Sequence, residues 1–303
     1  MAIILGENRY GKLENRVFRV TRHGDTHEIL DLNVSVQLSG DFAQCHLQGD
    51  NSKVLATDSQ KNTVFALSQK HGAMEPEAFG LLLARHFIES HAPVTAVEVC
   101  LEKFDWDRIT ARGKPHPRAF RRNGSLTRVA TVRAQRAGEK IHAHITSGIE
   151  GLVILKTSDS EFKGFMRDAF CTLPQTTDRI LATELRARWR WNAIDSAALE
   201  KIDWEKSHRD TLDTLLCTFA EHHSLSLQHT LYAMGEAVLE QQTNIGAIRV
   251  SLPNKHHFLV DLAAFGQDNS NEVYIAADRP YGCIEAVVTR DDAPPPPETW
   301  PNW

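Results

Sequence analysis

"FIESHAPVTAVEVCL", residues 87–101, and "VLEQQTNIGAIRVSL", residues 238–252, align without a gap about half a chain apart. Each runs from a glutamate at a helix end into an apolar/polar alternation, the period-two signature of a half-buried strand. "LNVSVQL" from Leu32 and "LRARWRW" from Leu185 alternate in the same way, each ahead of a helical region. In the first half that region holds a helix from Thr57 and then "EPEAFGLLLARHFIES", where Pro76 suits a first turn and Phe79, Leu82, Leu83 and Phe87 recur at helical spacing. In the second, Leu212, Leu215, Leu216 and Phe219 share a face, as do Leu231, Met234 and Val238. These stripes read as core. "NRVFRVTRHGDTHEIL" (15–30) and "GLVILKTSDSEFKGF" (151–165) are strand-like, and more strand pairs follow the helices, giving strand-strand-helix-helix-strand-strand twice. The expected fold is α+β: two similar antiparallel units over 1–137 and 138–290, then a proline-rich tail over 291–303. A four-stranded sheet with helices on one face leaves edges and its other face uncovered, which favours closing a barrel by subunit association.

The composition, 303 residues and 42% hydrophobic, suffices for a sizeable core. Five cysteines, odd in number and without a C-x-x-C pair, suggest neither a disulfide framework nor structural zinc. No run of eighteen apolar residues and no secretory leader is present, so a soluble intracellular protein without a membrane partner is expected. A net charge of -5 gives no general reason to bind nucleic acid. Residues 108–140 locally reverse that balance with many Arg and Lys against one Glu. Gly, Pro and Asn punctuate "ARGKPHPRAFRRNG", so it reads as a solvated hairpin loop rather than a phosphate-binding arm.

Candidate chemistry is sparse by motif. No Walker loop, G-x-G-x-x-G, G-x-S-x-G or H-E-x-x-H occurs. Two polar interruptions stand out. Thr57 and Asp58 open a helix, where Thr57 with Gln60 fits a capping box and a helix start also favours an anion. "SLPNKHHF" (251–258) sets Asn254, Lys255, His256 and His257 between strands where an ordinary turn would suffice.

Read together, "YGK" (10–12), "ATDSQKNT" (56–63), "FKGFMRD" (162–168), "DRIL" (178–181) and "SLPNKHHF" occur in an order and spacing that resembles the cofactor-independent urate oxidase (uricase) family from Tyr10 to about Tyr281. The resemblance implies tandem T-fold (tunnelling-fold) domains, each an antiparallel four-stranded sheet with two helices on one face. It also implies a homotetramer around a tunnel, and oxidation of urate by molecular oxygen and water to 5-hydroxyisourate and hydrogen peroxide, with no metal or flavin.

It assigns roles residue by residue. Lys12 and Thr57 form a proton relay that His256 tunes or extends. Arg179 offers a planar donor fork, Gln228 a donor and an acceptor to a lactam edge, and Phe162 a ring for the purine face. Leu227, where relatives can carry valine, lines the pocket. Asn254 and Thr57 hold oxygen, peroxide and then water, while Asp58 binds the purine edge through its backbone. The family's pocket lies between subunits, with Lys12, Thr57 and Asp58 from one chain meeting Phe162, Arg179 and Gln228 of another. Rival readings are a zinc-dependent tunnelling-fold purine or pterin enzyme, and a purine-binding scaffold without catalysis. The ending "PNW" differs from a peroxisomal address, so a cytoplasmic setting is expected.

Overall fold

The structure, a computed structural model, describes residues 1–277, 279–293 and 300–301; the proline run of the tail and Trp303 lie outside the described residues. In chain order the elements are β1 (Tyr10–His23), β2 (Thr26–Gly40), α1 (Ala43–Gln48), α2 (Thr57–His71), α3 (Pro76–Ser90), β3 (Val94–Ala111), β4 (Lys114–Ala137) and β5 (Lys140–Lys156). There follow β6 (Leu181–Trp191), α4 (Ser196–Leu199), α5 (Trp204–Glu221), α6 (Leu227–Gln241), β7 (Ile245–Pro253), β8 (His256–Leu259), β9 (Tyr274–Ala277) and β10 (Cys283–Thr289). Two compact units result. The first comprises Met1–Gly148, Arg190–His208 and the described Trp300 and Pro301; the second comprises Ile149–Trp189 with Arg209–Ala293.

In the first unit the hydrogen-bonded strand order is β1-β2-β3-β4-β5, and the β1-β2, β2-β3 and β3-β4 pairs are antiparallel. The alternation from Leu32 sorts β2 as expected: Leu32, Val34, Val36 and Leu38 are each 0% exposed. Each such burial contributes about 1.5–3 kcal/mol, enough to fix the register, since a one-residue slip would turn all four to the other face. Phe79, Leu83 and Phe87 of α3 are buried, and α3 packs on β3 and β4 while α2 packs on β1. Pro76 opens α3, where its missing N–H costs nothing.

The second unit repeats the plan with β5-β6-β7-β10, where Leu185, Ala187 and Trp189 of β6 are buried and Met234 and Val238 of α6 face the core. Two features depart from it. Residues 157–165, expected to continue a strand, are irregular beyond Lys156, with isolated bridges at Ser160 and Phe162 and side-chain ties such as the Gly164 N–H to Gln175 at 3.2 Å. The β8-β9 hairpin forms a separate antiparallel pair.

The basic stretch from Ala111 to Gly124 is strand rather than loop. Only Arg112 (φ 52) and Gly113 (φ 79) turn the chain. Two successive positive φ values make the hairpin turn whose twist matches the flanking strands. Beyond it β4 continues through Pro115 and Pro117, and its Lys114, Arg118, Arg121 and Arg122 are exposed, as a solvated stretch would have them. Arg108 donates to the Pro117 carbonyl at 2.8 Å, and the Arg122 guanidinium lies 4.2 Å from the centre of the Phe104 ring.

Candidate active site

Three of the candidate residues belong to the first unit. β1 starts with Tyr10, Gly11 and Lys12 opposite Leu38, Gln37 and Val36. A side chain at Gly11 would lie 1.9 Å from the Val36 carbonyl oxygen, so only glycine lets β1 approach β2 so closely here. Immediately after Lys12 the register shifts, Glu14 takes φ 55, and buried Asn15 donates to the Lys12 carbonyl (3.3 Å) and the Val34 carbonyl (2.9 Å). A bulge of this kind re-aims the side chain beside it.

The capping expectation for Thr57 is overturned. Ala56 (ψ 138) occupies the cap position with no side-chain bond, and its carbonyl accepts from the Gln60 N–H at 3.2 Å. The Gln60 side chain turns instead to the Leu55 carbonyl (3.3 Å). Thr57 therefore starts the helix, and its hydroxyl makes no hydrogen bond among the described residues. Asp58 pairs with side chains of its own helix. Its carboxylate takes Lys61 at 2.5 Å and Asn62 at 3.0 Å, and the bond from Lys61, then its charge and to a lesser degree that of Lys12, hold the carboxyl below its usual range.

Five more candidates and His256 belong to the second unit. Phe162 is tied by its backbone to Thr176 (2.9 and 3.0 Å), and its ring stacks on Phe165 with centroids 4.8 Å apart. The Arg179 guanidinium lies 5.2 Å from the centre of the Phe162 ring. Burial pushes that guanidinium below its usual range, and its Nε is buried without a hydrogen-bond partner. His256 is also shifted down, by burial first and then by the charges of Arg179 and His257. The polar interruption after β7 is anchored to β6: Asn254 bridges Thr183, the Lys255 N–H donates to the Ala182 carbonyl (2.8 Å), and the Thr183 hydroxyl donates to the Pro253 carbonyl (2.9 Å). Gln228 is exposed in the first turn of α6, whose start Ser226 caps by accepting from the His229 N–H at 3.1 Å. Leu227, at 2% exposure, packs into the core beneath that turn.

The structure thus brings Lys12 near Asp58 in one unit, and Arg179 near Phe162 and His256 in the other. Three concavities, beside Arg9 and Arg133, beside Cys217 and His222, and beside Arg85 and His142, include none of the candidate residues. Sequence reasoning passed over Tyr10, whose hydroxyl accepts from the Leu55 N–H at 2.9 Å and whose ring meets Phe42 edge-on at 4.9 Å. It also missed the pairing of His222 with His229, at 3.0 Å. A tyrosine two residues from Lys12, on the same face of a strand, was the available signal for the first.

Two β-β-α-α-β-β units carrying these groups define a tunnelling-fold protein. The uricase family profile matches residues 8–133 and 145–285. A uricase of Arthrobacter globiformis is 48% identical over 99% of this chain and 94% of its own length, and a uricase of Dictyostelium discoideum is 35% identical over 94% and 96%. The crystal structure of the Arthrobacter uricase superposes with a TM-score of 0.90, covering 98% of each chain. This chain belongs to the uricase family.

Proposed function

We propose that the chain is a urate oxidase, converting urate, O2 and water to 5-hydroxyisourate and hydrogen peroxide. Arg179 carries the reading: a half-buried guanidinium with an unpaired Nε beside an aromatic face is a fork left open for a flat, anionic ligand. Family membership over both units supports urate as that ligand. Gln228 complements a lactam edge, and Phe162 faces the purine ring.

Ground-state oxygen reacts with closed-shell urate only after single-electron transfer, so the protein's task is to make a readily oxidised dianion. Lys12 accepts the proton through the Thr57 hydroxyl, which no helix cap or side chain occupies. His256, its imidazole shifted below the usual range by burial and then by Arg179, extends the relay. Asn254 and Thr57 hold oxygen, then peroxide, then the attacking water. Lys12, Thr57 and Asp58 of one copy complete a site with Phe162, Arg179 and Gln228 of another, in a homotetramer closed along its open strand edges.

Urate absorbance and peroxide, measured together in a chelator-treated sample, test the activity. Expected is one peroxide per urate consumed, with Lys12→Met and Thr57→Ala each slowed by about 10²–10⁴. Urate left intact by the wild type, or both variants at wild-type rate, overturns the proposal.

A further inference from the structure

The start of β1 and the start of α2 are joined by one side chain. Tyr10 lies two residues before Lys12, so the two side chains leave the same face of the strand. Its hydroxyl accepts the N–H of Leu55, two residues ahead of Thr57, at 2.9 Å. The ring cannot swing away freely, because it meets Phe42 edge-on at 4.9 Å with planes 86° apart. Gly11 holds the strand beneath it against Val36. The Leu55 N–H precedes the helix and belongs to no ladder, so the phenol ties the segment entering the helix to the start of the strand.

We propose that Tyr10 is a positioning residue of the proton relay: its hydroxyl sets the separation between the Lys12 amine and the Thr57 hydroxyl by tethering the segment leading into α2. The inference rests on the Lys12–Thr57 reading above. Thr57 is a fit object for such control, because no cap bond of its own holds its side chain. Proton transfer along a relay depends steeply on heavy-atom separation, and a misplacement of about 1 Å can cost 10²-fold. Phe162, Arg179 and Gln228, which grip the purine in the reading above, lie outside the segment that Tyr10 tethers, so its loss acts chiefly on turnover.

The test is a cycle of Tyr10→Phe with Thr57→Ala, measured for kcat and KM. The phenylalanine keeps the ring on Phe42 and deletes only the acceptor of the Leu55 N–H. Expected is a fall in kcat of about tenfold or more with KM for urate unchanged. On the Thr57→Ala background the same change is expected to alter kcat by less than about twofold, because the group being positioned is gone. An equal loss on both backgrounds, as general destabilisation would give, overturns the proposal. So does wild-type kcat in Tyr10→Phe. If Thr57→Ala is slow while Tyr10→Phe is normal, the Tyr10 inference alone falls; if Thr57→Ala is itself at wild-type rate, the relay falls and takes Tyr10 with it. Phe42→Leu frees the ring but keeps the hydroxyl, so it serves should Tyr10→Phe fail to fold. It is expected to lower kcat in the same Thr57-dependent way, and unchanged kcat there also overturns the proposal.

Discussion

Replacing Arg179 with glutamine separates a ligand clamp from a structural cation. Among the described residues Arg179 has no carboxylate partner, its charge is disfavoured by burial alone, and its Nε goes unsatisfied. An uncompensated half-buried charge is a burden on the folded state, so Arg179→Gln is expected to leave the melting temperature unchanged or raised. For activity the sign reverses. Two charge-assisted hydrogen bonds to an anion contribute about 1.5–3 kcal/mol each, and glutamine retains at most one neutral bond. A net loss of about 3 kcal/mol corresponds to roughly 100-fold in kcat/KM. Steady-state urate kinetics and a thermal melt on the same preparation read both.

The same variant tests where the pocket lies. Chains carrying Arg179→Gln, co-expressed in equal amounts with chains carrying Lys12→Met, form mixed assemblies. A site drawing Lys12 from one chain and Arg179 from another is wild-type in about one case in four. About 25% of wild-type activity should therefore return from two nearly inactive parents. Recovery of nothing places both residues of each site in one chain, and a melting temperature lowered by several degrees in Arg179→Gln makes the arginine structural. Either result refutes the reasoning.

Two further predictions concern the first unit. Arg128, 3% exposed, donates to Glu75 (2.7 Å), Glu77 (2.9 Å) and Glu205 (2.7 Å), and Glu77 is itself 1% exposed. Arg128→Met leaves a buried carboxylate without its cation and should cost about 3–5 kcal/mol in urea unfolding; a loss below about 1 kcal/mol contradicts the account. His208 is half-buried beside Arg128 and Lys103, and loss of solvent followed by those charges pushes its imidazole down to about 3. Unfolded, the same group titrates near its ordinary 6.5, so between these values the unfolded chain binds the extra proton and stability falls as pH falls. The difference is about 2 kcal/mol at pH 5, and His208→Gln should flatten the stability-against-pH curve in that window.

The repeat between Phe87–Leu101 and Val238–Leu252 was legible because burial imposes period two on any strand with one covered face, and the structure keeps both segments as a helix end running into a strand. At Lys114–Gly124 composition was right about exposure, since the arginines face solvent, and wrong about conformation: only the positive φ pair at Arg112 and Gly113 is a turn, and pairing with β3 makes the rest a strand. The Thr57–Gln60 capping box has the right letters, but a cap depends on where the backbone leaves the extended region, and it does so at Ala56. Most candidate residues were found through resemblance, since Lys12, Arg179 and Gln228 have nothing in their spacing to mark them. Tyr10 escaped because its partner is a backbone amide 45 positions away, which no side-chain pattern can announce.

The tight turn at Arg112 and Gly113 has a practical consequence. Val99 lies opposite Val36, itself opposite Lys12, and from Val99 the strand runs on to Ala111 before the chain reverses. At about 3.3 Å per residue that places the reversal some 40 Å along the strand from the lysine. A polymer graft, an affinity peptide or a surface-coupling handle spliced between those two residues would hang from the tip of a lever, leaving the Lys12 end of the same unit undisturbed.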